Sequence, residues 1–219
     1  MRKITDWTTL EGNLVGLVPL SMEHASPLRE LIAKDRPDEL WFTTVPSVTT
    51  LKQDIEHKRQ LQKQGVMLPF AVIDKRRERV VGVTTYMNVD NHTPRVEIGS
   101  TWYAKEVQRT GINTEAKYLL LKYALEDLQC IAVEFRTHIL NQTSRRAIER
   151  LGAKLDGILR NHRLTTNGQR RDTCIYSITD YDWQAVKTHL EWLMKNTYNL
   201  LINIKIFLDI NTIITIYLL

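Results

Sequence analysis

Cysteine is scarce in this chain of 219 residues, which contains only Cys130 and Cys174. Two cysteines cannot build the disulfide framework that holds small secreted domains together. Both lie in apolar, strand-like segments, which predicts buried free thiols in a reducing compartment. The six histidines are scattered, and no Cys/His cluster has the spacing of metal ligands, so we expect no metal site.

Several other features are missing from the sequence. Residues 1–6 lack the apolar core of a signal peptide, so we expect a cytoplasmic protein. There is no internal repeat or low-complexity linker, and an apolar content of 43% is ample for the core of one domain. The net charge of +5 suits an anionic small ligand but is also common on ordinary surfaces. No basic face with interleaved aromatic residues indicates a nucleic-acid partner.

The hydrophobic pattern predicts a mixture of strands and helices. Strands are expected at residues 14–20, 68–74, 80–88, 95–103, 130–138, 154–164 and 172–178. Helices are expected at residues 21–34, 51–64, 114–128, 141–151 and 183–195. The predicted fold class is α/β (α+β), with a mixed, mostly antiparallel sheet and flanking helices.

The most informative segment lies between the strand at 95–103 and the helix at 114–128, and it reads Gln108-Arg109-Thr110-Gly111-Ile112-Asn113-Thr114-Glu115-Ala116. Unpaired backbone N–H groups and the positive end of the helix dipole would converge here, which favours an anion. Arg109 adds positive charge, and Gly111 lets the backbone approach a phosphate closely. Glu115 lies in the first helical turn, where its side chain can point outward. On these residues alone, an ordinary strand–loop–helix connection remains the alternative.

This segment resembles the pyrophosphate-binding loop of the GNAT N-acetyltransferases, whose pattern is Gln/Arg-x-x-Gly-x-Gly/Ala. Gln108 and Gly111 match, while Asn113 stands where Gly or Ala is usual, and Asn tolerates unusual backbone angles. The following Thr-Glu-Ala is similar to the RimJ/RimL-like branch, and with the order of elements the resemblance covers roughly residues 10–190. It implies the GNAT fold, whose middle strands splay apart and hold acetyl-CoA between them.

The resemblance also implies which residues would contact the cofactor. The end of the strand at 95–103 would pair through its backbone with the pantetheine arm, although its Trp and Tyr are equally well explained as core aromatics. An Asn after the strand at 130–138 would hydrogen-bond the same arm. The candidate cofactor-binding residues are Thr101, Trp102, Tyr103, Gln108, Arg109, Thr110, Gly111, Ile112, Asn113, Thr114 and Asn141.

Acetyl transfer to an amine requires a base for the amine proton and an acid for the departing thiolate. Glu97 lies between apolar strand residues, where desolvation would raise its pKa, and it matches the strand glutamate that is the base in some histone acetyltransferases. The alternative is a structural ion pair with Arg95 or Arg136. Ser144 matches the serine that lies near the sulfur in the RimL-like branch, which implies the acid; capping the helix is its alternative role.

Three residues are candidates for binding the acceptor. Trp41 and Phe42 lie in an irregular segment that forms the acceptor side of the cleft in this fold. They would stack on a planar acceptor or, alternatively, form a lid packed on the core. His138 ends a strand and would face the cleft, where it could shuttle a proton; the alternative is a strand histidine that only satisfies its own hydrogen bonds.

The resemblance implies an N-acetyltransferase that transfers an acetyl group from acetyl-CoA to a primary amine by direct attack in a ternary complex. No cysteine is placed to form an acyl-enzyme. The acceptor would be a protein N-terminus or a small-molecule amine, and a homodimer stays open. Two alternatives remain: a CoA-binding module without turnover, and a membrane-associated protein that uses its C-terminal tail.

The C-terminal tail differs in composition from the rest of the chain. We assign residues 1–196 to the acetyltransferase domain and residues 197–219 to an apolar, Ile-rich extension. The extension is long enough to span a membrane, but Lys205 and Asp209 would each cost roughly 3 kcal/mol there. An adventitious extension is favoured over an interface element, and a membrane anchor is least favoured.

Overall fold

Strands and helices alternate along the computed structural model, which describes residues 4–6, 8–165 and 167–217. The strands are β1 (Leu10–Glu11), β2 (Val15–Pro19), β3 (Leu68–Asp74), β4 (Arg79–Asp90), β5 (Arg95–Tyr103), β6 (Ala132–His138), β7 (Lys154–Leu164) and β8 (Arg170–Thr179). The helices are α1 (Ala25–Asp35), α2 (Leu51–Lys63), α3 (Gly111–Lys122), α4 (Gln142–Arg150) and α5 (Asp180–Tyr217). A π-helical turn, Tyr123–Asp127, continues α3.

All eight described strands form one sheet in the order β1-β2-β3-β4-β5-β6-β8-β7. Every neighbouring pair is antiparallel except β5 and β6, which run parallel. A parallel pair requires a crossover, and α3 with its π turn supplies it. The predicted class, a mixed and mostly antiparallel sheet with flanking helices, is confirmed.

Helices cover both faces of the central strands, since β3 and β4 are buried along almost their whole length. The hydroxyl of Tyr86 on β4 donates to the carbonyl of Leu120 on α3, so this side of β4 faces α3. Because successive side chains alternate along a strand, the neighbouring residues face the other layer, where α1 contacts β4 and α2 contacts β3. Helix α5 packs beside α3.

The sequence predicts the bounds of β3, β5 and β7 correctly, but the last helix differs. It begins at Asp180 and continues without a break past residue 195, where the sequence predicts its end; the domain boundary at residue 196 stays a prediction. Residues 218 and 219 of the predicted extension lie outside the described residues. Within the part of the chain that is described, no helix combines the length and the apolar character needed to cross a membrane.

Both cysteines are free and buried, as the sequence predicts. Cys130 lies just before β6, and Cys174 lies within β8. Burial raises the pKa of the Cys130 thiol to about 11. Neither thiol is therefore suited to act as a nucleophile at neutral pH.

Candidate active site

A cleft opens where β5 and β6 diverge. The two strands pair only over their first three residues, from Arg95 opposite Ala132 to Glu97 opposite Glu134. Beyond that point β5 pairs only with β4, and β6 pairs only with β8. The carboxyl ends of these two parallel strands therefore stand apart in the middle of the sheet. In α/β sheets, ligands bind at the carboxyl ends of parallel strands.

A bulge in β5 decides which side chains line each side of this cleft. The register with β4 shifts between the pairs Thr85–Gly99 and Val83–Trp102, and Ser100 has a φ of 46°. The extra residue places Trp102 on the same face as Glu97 and turns Thr101 and Tyr103 toward α3. Trp102 is buried, in agreement with a core aromatic. The predicted backbone contacts of this segment with a cofactor stay a prediction.

The predicted anion loop, residues 108–114, connects β5 to the first turn of α3. Most of its side chains have partners within the protein: Gln108 Nε2 donates to the carbonyl of Tyr103 at 3.0 Å, Thr110 Oγ1 accepts from the backbone of Ile112, and Thr114 Oγ1 accepts from Arg150 at 2.8 Å. Two side chains, Arg109 and Asn113, have no partner within the described residues. Arg109 is exposed, with a φ of 60°.

Gly111 has a packing role that the sequence reasoning did not foresee. A Cβ on this residue would lie 2.9 Å from Leu14 Cδ1 and 2.9 Å from Thr197 Cγ2. Both contacts come from protein side chains, from the start of β2 and from α5. The absence of a side chain at Gly111 therefore lets three elements meet at the first turn of α3.

Glu115 does not point outward, as the sequence analysis allowed, but is buried. Its carboxylate accepts backbone hydrogen bonds from Asn13 at 2.7 Å, Leu14 at 2.7 Å and Val15 at 2.9 Å. The hydroxyl of Tyr198 on α5 donates to the same carboxylate. Four donors satisfy this buried charge and direct it away from the anion loop, where it would repel a phosphate.

The loop after β6 and the first turn of α4 place Asn141 and Ser144 on the β6 side of the cleft. Asn141 is the N-cap of α4, and its Oδ1 accepts from the backbone N–H of Ser144 at 3.0 Å. This cap occupies the side-chain oxygen of Asn141. The hydroxyl of half-buried Ser144 makes no hydrogen bond within the described residues, so it is free to act on a ligand.

Glu97 lies at the apex of the cleft, at the last paired position of β5 and β6. It accepts a hydrogen bond from Asn88 Nδ2 at 2.6 Å, and Arg136 Nε lies 3.5 Å from its carboxylate. The ion pair with Arg136, one of the two structural alternatives, is therefore present, while Arg95 pairs with Glu134 instead. Burial raises the pKa of Glu97 more than Arg136 and Asn88 lower it.

The three candidate acceptor residues come together, although they are distant in sequence. The ring centroids of Trp41 and Phe42 lie 5.2 and 6.4 Å from the centroid of His138. His138 Nδ1 accepts from the backbone N–H of Leu140 at 3.0 Å, which assigns the proton of the neutral ring to Nε2. Nε2 is buried and has no hydrogen-bond partner among the described residues. Burial is also the main cause that lowers the pKa of His138, so the ring is neutral at pH 7 and Nε2–H is a donor.

Sequence reasoning missed the charged residues that surround Glu97. Glu134 and Arg136 lie on the same face of β6, and Arg136 Nη2 donates to Glu134 Oε2 at 2.9 Å. Arg163 on β7 and Arg171 on β8 are close enough to interact electrostatically with Glu97. Alternation of Glu134, Arg136 and His138 along β6 is the signal that indicates a polar face. Their neighbours on β7 and β8 follow only from the register of the sheet.

The donor set of the cleft fits a ligand of the CoA type. The exposed guanidinium of Arg109 and the N–H groups of the first turn of α3 suit phosphate oxygens. The edge of β5 beyond Glu97 offers backbone groups that β6 does not pair. Where side chains are described, no three His, Cys, Asp or Glu residues gather as they would around a metal ion.

Comparisons with known proteins give a consistent result. Residues 15–154 match the family described as the acetyltransferase (GNAT) domain. The structure of a GCN5-related N-acetyltransferase from Brucella melitensis superposes with a TM-score of 0.76, at 31% identity, over 86% of this chain and 86% of that one. RimJ from Mycobacterium smegmatis, solved with CoA-disulfide, has the same fold, with a TM-score of 0.75 at 22% identity over 88% of this chain and 97% of that one.

A curated relative supports the branch that the sequence indicates. A Bacillus subtilis (strain 168) protein named as a ribosomal N-acetyltransferase, YdaF, is 34% identical over 106 residues. That match spans 48% of this chain and 57% of the relative. The resemblance to the RimJ/RimL-like branch is confirmed.

Proposed function

We propose that this chain, which belongs to the acetyltransferase (GNAT) family, transfers the acetyl group of acetyl-CoA to a primary amine. The observation that carries the proposal is the divergence of β5 and β6 after Glu97. The anion loop and the Asn141 loop stand at the two open strand ends. A pantetheine arm between the strands would therefore have the phosphates at α3 and the thioester near the apex.

The proposed chemistry is direct attack in a ternary complex. The amine nitrogen attacks the thioester carbonyl carbon, the carbon–sulfur bond breaks, and sulfur leaves as a thiolate. Glu97 takes the amine proton, directly or through a water, and its raised pKa suits this task. Ser144 donates a proton to the thiolate and regains one from water, while Glu97 releases the amine proton to water; the hydroxyl of Ser144 makes no hydrogen bond within the described residues, which supports this role. Cys130 and Cys174 are both buried, which supports direct transfer over an acyl-enzyme.

For the acceptor we propose a protein N-terminus. The name of the B. subtilis relative supports this class. The face of the cleft that carries Glu97 also has an excess of positive charge, because Arg136, Arg163 and Arg171 gather there. Such a face lowers the pKa of an approaching ammonium and favours acceptors with acidic residues near the amine. A cytoplasmic location stays a prediction.

The test is a binding titration followed by an acceptor screen. Acetyl-CoA binding is measured first by calorimetry, and thiol release is then followed with peptides that carry a free N-terminus and either acidic or basic residues after it. The same peptides with a blocked N-terminus are the matched controls, and small amines complete the panel. Release with free but not blocked peptides, and preferentially with acidic ones, is the expected result.

Two other outcomes would contradict the proposal. Binding of acetyl-CoA without release from any amine would indicate a CoA-binding module without turnover. Release with small amines but not with peptides would retain the reaction and reject the acceptor class. Ser144→Ala separates chemistry from binding, since it should lower turnover while leaving the dissociation constant of acetyl-CoA unchanged.

A further inference from the structure

Lys117 on α3 is a buried lysine that pairs with no carboxylate in the part of the chain whose side chains are described. Its Nζ donates to Thr84 Oγ1 and to Thr101 Oγ1, at 3.1 Å in both cases. The side chain is about 6% exposed, and it forms no ion pair within the described residues. An unpaired ammonium at this depth is costly, and an apolar residue of the same length would avoid the cost.

The hydrogen bonds around Lys117 use two N–H groups, which is the number that a neutral amine offers. Thr101 donates to the carbonyl of Gly99 at 3.3 Å, so the hydroxyl of Thr84, 2.8 Å from Thr101 Oγ1, must donate to Thr101. The two threonine oxygens then accept one N–H each from Lys117. A neutral amine has two N–H groups and both are used, whereas the third N–H of an ammonium has no oxygen acceptor among the described residues and only the face of the Tyr103 ring beside it.

This network joins the two halves of the proposed cofactor site. Lys117 lies on α3, six residues after Gly111, and its partner Thr101 directly follows the bulge at Ser100. The same bulge turns Thr101 toward α3 and aims the free edge of β5 at the cleft. Fixing Thr101 therefore fixes the strand segment next to the cofactor relative to the helix that carries the anion loop.

The surroundings of Lys117 support the neutral form. Burial alone lowers the pKa of Lys117 to about 7. On β5, the Tyr103 ring centroid lies 5.9 Å from Nζ, and on β4 Tyr86 is fully buried; burial raises the pKa of both phenols, so neither supplies a negative charge. On α3 itself, the carboxylate of Glu115 is directed to the backbone of residues 13–15.

We propose that Lys117 is a positioning residue for the cofactor half of the cleft and that it acts as the neutral amine, so that its protonation weakens cofactor binding. This inference rests on the proposed function. It predicts that acetyl-CoA binding depends on pH around neutrality through a residue that never touches the acceptor. The hydrogen bonds from Nζ to Thr84 and Thr101 give a lysine at this buried position a role that an apolar residue lacks.

The test compares the parent with Lys117→Met, which keeps the length of the side chain and removes its donors. Acetyl-CoA dissociation constants are measured by calorimetry at pH 6, 7 and 8. With only the neutral fraction competent, the parent should bind about tenfold more weakly at pH 6 than at pH 8. Lys117→Met should bind about tenfold more weakly than the parent at pH 8, and its affinity should change much less with pH. A phosphate of the ligand titrates in the same range, but both proteins share that contribution.

Stability gives an independent readout. Between about pH 7 and the ordinary lysine pKa, the folded state of the parent binds fewer protons than the unfolded state, so its free energy of unfolding should rise with pH. Lys117→Met should lack this slope and melt at or above the parent's temperature at pH 7. Lys122→Met, an exposed lysine on the same helix, is the matched control and should resemble the parent in every measurement.

Three further results would reject either the proposed function or the role of Lys117. If the parent does not bind acetyl-CoA at pH 8, the proposed function fails. If the parent binds and Lys117→Met binds equally with the same pH dependence, Lys117 is a structural residue and this inference is wrong. Should Lys117→Met fail to fold, Thr101→Val replaces it, because it removes only the hydroxyl that Lys117 contacts. Parent-like affinity and pH dependence in that variant would overturn the inference in the same way.

Discussion

Glu97 and Glu115 are two buried carboxylates at the cleft, and they differ in their partners rather than in their depth. Both are less than one-tenth exposed. Glu115 accepts from three backbone N–H groups and a tyrosine hydroxyl, whereas Glu97 has one amide donor and an arginine at 3.5 Å. A fully satisfied charge holds a structure together, while an under-satisfied one with a raised pKa is able to exchange a proton.

The largest expected effect is the loss of activity in Glu97→Gln. Removing a general base should lower kcat/KM by roughly 10²–10⁴-fold, with little change in acetyl-CoA affinity. Because the pKa of Glu97 is raised above 4.5, the parent's rate should fall as the pH drops through that raised value. The variant should lack this acidic limb. A raised pKa also means that ionised Glu97 lowers the free energy of unfolding at neutral pH. Glu97→Gln should therefore be at least as stable as the parent.

Glu134→Gln is the matched control for Glu97, since the two carboxylates lie opposite each other in the sheet. It should retain the acidic limb of the pH profile. A Glu97→Gln enzyme that keeps both its rate and its limb would remove Glu97 as the base and leave the ion pair with Arg136 as its only role.

Glu115→Ala should show the opposite pattern, with a loss of stability. Two buried backbone N–H groups and one part-buried N–H group would lose their acceptor, which we expect to lower the free energy of unfolding by about 3 kcal/mol. Urea unfolding followed by circular dichroism measures this loss. Glu56→Ala, at an exposed position on α2, should change the free energy of unfolding by less than about 0.5 kcal/mol. Equal stability of the two variants would show that water replaces the carboxylate.

Arg109→Ala tests what remains at the anion loop once Glu115 is directed elsewhere. The guanidinium is exposed and unpartnered, and its removal should weaken acetyl-CoA binding by about tenfold, or 1.4 kcal/mol. Alanine keeps the Cβ, so the backbone at the φ of 60° is equally disfavoured in both proteins. Calorimetry at two salt concentrations should show a smaller salt dependence in the variant. Arg29→Ala on α1 is the control, and a loss of affinity there of the same size would contradict a specific role for Arg109.

The smallest effect concerns the tail, and it tests the partner set of Glu115. A chain ending at residue 201 keeps Tyr198 and should bind acetyl-CoA and unfold like the full chain. A chain ending at residue 196 loses the hydrogen bond from Tyr198 and the contact of Thr197 with Gly111. We expect it to fold and to bind, but to be less stable by roughly 1 kcal/mol. If the chain ending at residue 196 is as stable as the full chain, these two contacts contribute nothing to stability. If the chain ending at residue 201 is insoluble, the extension is a packed structural element.

The local sequence pattern predicts most of the fold and the loop of the candidate site. It does not predict which partners the charged side chains near that loop contact. A continuous apolar run places β3 correctly and alternating apolar residues place β5, while the loop pattern at 108–114 identifies the segment that follows the diverging end of β5. The partners of Glu115 lie about 100 residues earlier in the chain, so no periodicity indicates them. The side on which Thr101 and Lys117 meet depends on a bulge at a serine, and serine carries no signal for a positive φ.

The C-terminal boundary of the domain is also hard to predict from the sequence of α5. Its apolar residues continue past residue 196 without a cap or a proline, so composition alone cannot place the boundary of the domain. Thr197, just beyond residue 196, packs into the space that Gly111 leaves by lacking a side chain, and the boundary at residue 196 stays a prediction.

The position of Tyr198 has a consequence for the order in which this protein matures during synthesis. The first turn of α3 is anchored by residues 13–15 from one end of the chain and by residue 198 from the other. A ribosome adds roughly 5–20 residues per second, so Glu115 waits several seconds for its last donor after its own turn has emerged. Glu115 therefore acquires its last donor only after residue 198 has emerged, and until then the three backbone donors of residues 13–15 alone hold the first turn of α3.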